Sequence, residues 1–327
     1  MAQPAAQDVH ISIPLTNISL AWLQSNADKF IADKVFPVVP VNYQYGKFYK
    51  FPRSNWLRPE AKVRAPAAES AGSGFTIVSQ NYSADVYAIH YDLPDQVLAN
   101  ADAALSIDRS GTEFVTQQVA LTRELIWTQK FFTTGVWSGI ADQTGVPGVA
   151  GANQFKQWDQ AGSTPIEDLT KYRIAMTLLT GFRPNTLVIG PQVWAILMNH
   201  AEFLDRIKYT QTGIVGTDLL AALIGIPNVY VPEAIQNTAN EGQADTMGFL
   251  YGKNVLMTYS APSPGLMTPS AGYIFAWDGF LGANALGGRV KRFRMEWLEA
   301  TRIEAEMAFD MNAVAPEMGG LLTAAVS

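Results

Sequence analysis

Cysteine is absent from this chain of 327 residues, and histidine occurs only three times. A chain without cysteine has no disulfides, no thiolate metal site and no cysteine nucleophile. The histidines are His10, His90 and His200. Their spacing allows neither an HExxH motif nor a pair of metal ligands on one helix. We therefore predict no metal site.

Charged residues are also scarce, because they make up only 16% of the chain and leave a net charge of -6. Soluble domains carry roughly 25%, so partners are expected to cover much of this surface. An acidic chain is poorly suited to binding the phosphates of nucleic acids. No run approaches the roughly 18 apolar residues of a membrane span, and the first residues do not form a secretion signal. We expect a cytosolic product with no membrane contact.

Catalytic motifs are missing as well. The chain has no G-x-S-x-G elbow, and the segment 248–254 departs from a phosphate loop in glycine spacing and in carrying Asn254 after the lysine. Glu304 and Glu306 share a strand face, which is interpreted as exposed and not as a carboxylate pair. We predict no catalytic residue and no cofactor. A cytosolic α/β hydrolase or sugar-binding enzyme would need a convergent polar site that is not found.

The N-terminal part of the chain has the pattern of an arm followed by a hairpin. Residues 1–40 mix Pro, Gln and Asn with short apolar pieces, which predicts an extended arm with a short helix around 27–34. Residues 41–51 and 75–91 alternate like strands. The loop between them is long, charged and rich in Pro and Gly, a length that usually indicates function or disorder. We predict that this loop binds a neighbouring molecule; the alternative is a flexible, solvated loop.

The middle of the chain changes to helical spacing. Residues 108–134 form a predicted helix of roughly 40 Å that ends at Gly135, with Phe114, Leu121, Leu125 and Phe132 as its main apolar stripe and Val115, Val119 and Ile126 beside it. Thr164 and Glu167 have capping-box spacing around Pro165. Helices and strands then alternate up to residue 277, which indicates a mixed α/β domain.

Two long alternating strands follow near the C-terminus. Phe293, Met295 and Trp297 share one face of the first, and Ile303 to Phe309 alternate in the second. Such alternation predicts a sheet with one packed face, set against the long helix, and one wet face. The basic residues of the first strand are Arg289, Lys291, Arg292 and Arg294. They form either an inner-face patch for DNA phosphates or, as the acidic balance favours, a charged face that pairs with a neighbour's acids.

The order of these elements resembles the tailed-phage major capsid proteins of the Hong Kong 97 type. The resemblance covers essentially the whole chain. It rests on the hairpin and the long helix together with the segments 183–191 (RPNTLVIGP), 200–207 (HAEFLDRI), 223–231 (LIGIPNVYV), 251–255 (YGKNV), 302–306 (RIEAE) and 314–320 (VAPEMGG).

The resemblance implies an α+β fold with four parts. These are an N-terminal arm (1–40), an extended β-hairpin loop (41–92), a peripheral domain (93–164 and 276–327) with a spine helix at about 108–134, and an axial domain (165–275). The subunit-contact candidates in the loop are Arg53, Arg58, Lys62, Arg64 and Glu69.

The implied function is structural. Pentamers and hexamers of the chain would form an icosahedral or prolate shell around double-stranded DNA, assembled in the host cytoplasm and found in the virion. Expected partners are other copies of the chain, a separate scaffolding protein, a portal protein at one vertex, a decoration protein and, through weak non-specific contacts, the packaged DNA. The alternative with the same fold is an encapsulin-type compartment shell.

Overall fold

The computed structural model describes residues 29–50, 57–100, 107–207, 216–265 and 268–327. The helices are α1 (Ala32–Val35), α2 (Asp95–Asn100), α3 (Ile107–Phe131), α4 (Pro165–Thr180), α5 (Pro191–Met198), α6 (Ala201–Ile207), α7 (Thr217–Ile224) and α8 (Asp278–Leu281). The strands are β1 (Val38–Val41), β2 (Tyr45–Lys50), β3 (Val78–Ser83), β4 (Asp85–Pro94), β5 (Gln143–Val146), β6 (Gln154–Lys156), β7 (Thr186–Ile189), β8 (Asn228–Tyr230), β9 (Ile235–Asn237), β10 (Met247–Phe249), β11 (Val255–Thr258), β12 (Gly272–Trp277), β13 (Arg289–Met295), β14 (Ala300–Ala313) and β15 (Gly319–Thr323).

Strand β14 organises a five-stranded sheet. Along its first part it pairs antiparallel with β4 on one side and with β13 on the other, and its last residues pair with β12. Strand β1 adds to β12 in parallel. Ile303, Ala305, Met307 and Phe309 are all buried, as the alternation predicts. Every one of these pairings except that of β13 with β14 joins segments far apart in the sequence.

Helix α3 covers this sheet and confirms the predicted long helix, although its buried face was predicted wrongly. Phe114 of the predicted stripe is 49% exposed, whereas the flanking Val115 and Val119 are buried. The buried face also carries polar residues such as Thr112 and Thr116, whose hydroxyls donate to backbone carbonyls one turn earlier. Because these hydrogen bonds satisfy the hydroxyls, an apolar stripe alone does not locate the buried face.

Helix α3 ends at Phe131, three residues before the predicted end at about residue 134. Gly135 lies in the following turn, where a φ of 86° suits glycine.

A second sheet of six strands has the order β6-β5-β15-β11-β7-β8. Leu187 and Ile189 of β7 face a core formed with helices α4, α5 and α7, while Val188 faces the core shared with α3. A strand that is buried on both faces explains the unbroken apolar run at 186–189. Strands β5, β6 and β15 lie outside the range 165–275 but pair within this sheet.

Helix α4 begins and ends where the sequence predicts, with Gly181 at a φ of 77° closing it. Its predicted capping box is absent, since Thr164 makes no side-chain capping bond. The backbone N–H of Ile166 instead donates to the Glu202 carboxylate at 3.0 Å. A carboxylate from another helix therefore satisfies one of the free N–H groups of the first turn.

Strands β2 and β3 form the predicted antiparallel hairpin, with Tyr45 opposite Ser83 and Lys50 opposite Val78. The single strand predicted over 41–51 was wrong, since β1 ends at Val41 in one sheet and β2 starts at Tyr45 in another.

Trp297 was placed wrongly on the packed face of the sheet, because it is 76% exposed. Strand β13 ends at Met295 and a 3-10 turn follows, closed by Glu299 at a φ of 45°. The alternation of β13 therefore stops before Trp297. Within the described ranges, no helix combines the length and apolar character that a membrane crossing requires.

Candidate assembly surfaces

The described part of the connection between β2 and β3, residues 57–77, is largely exposed. From residue 57 to residue 77 the backbone forms neither helix nor strand, and almost every side chain is exposed. Val63, at 102%, is as exposed as in a free peptide. Leu57, Phe75 and Ile77 are also more than half exposed. A loop of this length without secondary structure is uncommon inside a compact domain and is often functional.

The charged candidates of this loop do not form one cluster. Arg58 pairs with Glu60 at 3.6 Å, and the Arg64 guanidinium donates to the Ala68 carbonyl. Lys62 and Glu69 are exposed and have no ion-pair partner among the described residues. Arg53 lies outside the described residues. An exposed pair such as Arg58 and Glu60 contributes little to stability, so these charges remain available to a neighbour.

The base of the hairpin is anchored on the five-stranded sheet. The Tyr82 ring stacks on Phe275 with centroids 4.8 Å apart, and Phe48 stacks on the same ring at 5.3 Å. The Ser83 N–H donates to the Asp310 carboxylate at 3.0 Å. A groove of about 880 Å³ lies between this base and the sheet. The base of the hairpin is therefore held on the five-stranded sheet by ring stacking and a hydrogen bond.

The basic residues of β13 are held by acids of the same chain. Arg294 forms a bidentate pair with Asp95 at 2.5 Å, and Arg292 lies 3.3 Å from Asp108. Arg289 and Lys291 both approach Glu306, at 3.7 and 2.5 Å. These acids come from α2, α3 and β14, so the described cluster has partners within its own chain.

The interpretation of Glu304 and Glu306 as an exposed face was wrong for Glu306, which is only 6% exposed. Strand β14 lies between β13 and β4, so the long side chains of Arg289 and Lys291 cover this carboxylate. Burial and the adjacent Glu306 raise the pKa of Glu304 above its usual value. The compensating cations make this a structural ion-pair group.

Glu124 forms a buried junction that the sequence analysis missed. Its carboxyl group accepts the N–H groups of Ile31 and Ala32 at 2.9 and 3.3 Å, as well as the Tyr251 hydroxyl. The neighbouring Arg123 guanidinium lies 3.8 Å from Asp33. The junction thereby connects the N-terminal segment, the long helix and the loop before β11. Glu124 stands four residues after buried Ala120 and three before buried Trp127, a spacing that could have located it.

Glu124 is expected to make stability depend on pH. Burial raises the pKa of its carboxyl above the ordinary 4.5, outweighing the opposing effects of Tyr251 and Arg123. A raised folded-state pKa means that its contribution to stability is fully present below about pH 4.5 and is lost as the pH rises through the folded value. Glu124→Gln stays neutral and should remove that slope.

The measurement is urea unfolding of wild type and variant from pH 4.5 upwards. The difference between their free energies of unfolding should change with pH above about 4.5 and become constant once the pH exceeds the folded-state pKa of Glu124. The same substitution at exposed Glu167 controls for the loss of a carboxylate. A difference that stays constant with pH would contradict the assignment.

Comparison with known proteins finds relatives among phage capsid proteins. No family model matches the chain. The major capsid protein of Burkholderia phage BcepMu is 26% identical over 251 residues that cover 75% of each chain. The major capsid protein of Pseudomonas phage JBD67 is 24% identical over 247 residues, again 75% of each chain.

Solved structures extend the match to nearly the full length. A phage-related protein of Bordetella bronchiseptica superimposes with a TM-score of 0.71 over 97% of this chain and 98% of that one, at 20% identity. The capsid protein of cyanophage P-SCSP1u gives a TM-score of 0.54 over 90% and 88%, at 11% identity. The chain has the Hong Kong 97-type capsid fold. The resemblance inferred from the sequence is thereby confirmed.

The encapsulin-type alternative is not favoured. The virus-like particle of Pyrococcus furiosus shares the fold, with a TM-score of 0.51, 12% identity and coverage of 94% and 97%. Both curated relatives, however, are phage major capsid proteins. The sequence similarity of this chain is therefore to phage major capsid proteins.

Proposed function

We propose that the protein is the major capsid subunit of a tailed phage and assembles as pentamers and hexamers into an icosahedral or prolate shell around double-stranded DNA. The observation that carries this proposal is the exposed loop 57–77 on an anchored hairpin, in a chain whose fold matches a solved phage capsid over 90% of its length. A loop that cannot bury its apolar residues within its own chain needs a neighbouring subunit. Closed rotational symmetry would supply that neighbour in every ring.

Each of the two sheets corresponds to one of the two proposed domains. We assign the peripheral domain to the five-stranded sheet with helix α3, and the axial domain to the six-stranded sheet with α4 to α7. The pairing of β5, β6 and β15 adds 143–156 and 319–323 to the axial unit proposed for 165–275. The extended loop would then be the hairpin β2–β3, and the arm the residues before β1.

The other proposed partners are a separate scaffolding protein, a portal protein at one vertex, a decoration protein and the packaged DNA. Contact with DNA should be weak, because Arg292 and Arg294 already face Asp108 and Asp95. Neutralised cations release few counterions on meeting phosphates. Assembly in the host cytoplasm followed by residence in the virion is the location that fits this role.

Negative-stain electron microscopy of the purified chain, alone and coexpressed with a scaffolding gene, tests the proposal. We expect closed particles tens of nanometres across. The triple variant R58E/K62E/R64E should reduce their number at least about tenfold and leave the subunit folded, because reversed charges repel a complementary partner. A homogeneous small oligomer from wild type under both conditions would contradict the shell function.

The charge-preserving variant R58K/K62R/R64K is the matched control and should assemble like wild type. Circular dichroism of all three proteins separates failure to assemble from failure to fold. Normal assembly of the triple reversal would refute the role of the loop while leaving the shell function intact.

A further inference from the structure

Two arginine side chains meet on the surface of the six-stranded unit. Arg173 lies on α4, and Arg183 lies in the segment between α4 and β7. A Cβ at Gly225 would lie 3.8 Å from Arg173 Nη1 and would collide with Arg183 Nη2. Gly225 closes α7 at a φ of 72°. Because Gly225 has no side chain, both guanidinium groups can lie close to its Cα.

No acid of the described chain compensates this pair. Neither guanidinium lies within ion-pair distance of a carboxylate among the described residues, and the Nε of Arg173 is buried without a hydrogen-bond partner. Burial and the nearby charge of Arg183 lower the pKa of Arg173. Arg292, Arg294 and Arg302, by contrast, each face an aspartate. Two like charges held together without a counter-ion are unfavourable in the isolated subunit.

The C-terminus of helix α7 offers only partial compensation. A helix end carries about half an elementary charge, against two full charges here. The Ala221 carbonyl already accepts the N–H of Gly225 at 2.7 Å and that of Ile226 at 3.1 Å. An open hollow of about 460 Å³ borders Arg183, Ala221 and Pro227. The hollow is wide enough for an acidic side chain to reach the guanidinium groups.

We propose that Arg173 and Arg183 bind a carboxylate, Asp205 or Glu233, of a second copy of this chain within a ring. The inference rests on the proposed shell function and adds a specific contact to it. Guanidinium groups bind carboxylates in a planar, bidentate manner and do so better than lysine. Such a contact would remove the repulsion between the two cations only when subunits associate.

A second copy is the fitting partner because a ring brings two different faces of one chain together. Arg183 precedes β7 and Gly225 precedes β8, and these two strands are parallel, so the arginine pair lies at their amino ends. Glu233 follows β8, beyond its carboxyl end. Asp205 lies on α6, which contacts the start of α4 through Glu202, whereas Arg183 follows the end of α4. Both acids are exposed and have no cation partner among the described residues. One copy therefore offers cations at the amino ends of these strands and free carboxylates elsewhere.

The test is charge reversal followed by charge exchange, scored as particle number by electron microscopy. R173E/R183E should reduce particles at least about tenfold while the far-UV spectrum and sedimentation of the free subunit stay unchanged. Adding Asp205→Arg or Glu233→Arg to this background should restore particles. Lys171→Glu, an exposed reversal on the same helix α4, is the matched control and should assemble normally.

Each outcome decides the inference separately from the shell function. Restoration by either exchange supports it. Undiminished assembly of R173E/R183E overturns it, and so does a loss that neither exchange restores. Wild type is assayed alongside, and its failure to form particles would refute the shell function itself.

Discussion

Replacement of Trp127 with alanine is expected to lower the free energy of unfolding by about 3 to 5 kcal/mol, the cost of emptying a large buried site. The indole is fully buried on α3 and packs against Phe36, Phe132 and Tyr251, with ring centroids 5.6, 5.4 and 6.0 Å away. It therefore joins the segment before β1 and the turn before β11 to the long helix. Urea unfolding of the unassembled subunit measures the effect.

Trp297→Ala is the matched control, since it removes the same side chain from an exposed turn. Its effect should stay within about 0.5 kcal/mol. Equal losses at the two positions would mean that the core described around α3 does not carry the stability of the subunit. A large assembly defect in Trp297→Ala without a stability defect would instead identify that turn as a subunit contact.

Alanine at Gly190 should be the second strongly damaging change, lowering the free energy of unfolding by about 3 kcal/mol, the upper part of the range for overpacking. Gly190 joins β7 to α5 with φ and ψ of -61° and 144°, a conformation that suits alanine. Its added Cβ, however, would overlap the backbone carbonyl oxygen of Gly252. Because a backbone carbonyl cannot rotate away as a side chain can, the turn before β11 would have to move.

Gly216→Ala controls for the chemistry of the substitution. Gly216 also precedes a helix in an extended conformation, and no atom lies within 4 Å of its Cβ position. Its effect on urea unfolding should be about 1 kcal/mol, the typical cost of alanine at a helix N-cap, and so well below the loss at Gly190. If both variants lose the same stability, the loss at Gly190 does not come from the collision with Gly252.

Local signals in the sequence predicted most elements, and long-range pairing explains most errors. Helix α4 was located by Pro165 and Gly181, which act within one turn of themselves. The capping box failed because Glu202, from another helix, satisfies Ile166. The buried face of α3 was missed because its polar residues find partners, and Glu124 binds backbone more than ninety residues away in the sequence. Such partners leave no local pattern.

The same contrast between local signals and long-range contacts applies to the surfaces. The hairpin followed from alternation of side chains, which is local. The ion pairing of the basic residues of β13 could not be predicted in this way, because Arg294 meets Asp95 across about two hundred residues of sequence. Arg173 and Arg183, ten residues apart, were also overlooked, since only the fold brings them together at Gly225.

The pairing of β4 with β14 has a consequence for synthesis on the ribosome. Pro94 lies opposite Ala300. Strand β4 therefore has no partner until the residues between them have been translated. At about 5 to 20 residues per second this takes about 10 to 40 s. Throughout that interval the nascent chain exposes a strand edge and the apolar face of α3, both of which attract chaperones or aggregation. A chain that terminates before residue 300 never forms the sheet and so cannot present the surfaces of a complete subunit. The five-stranded sheet can therefore form only after almost the whole chain has been synthesised.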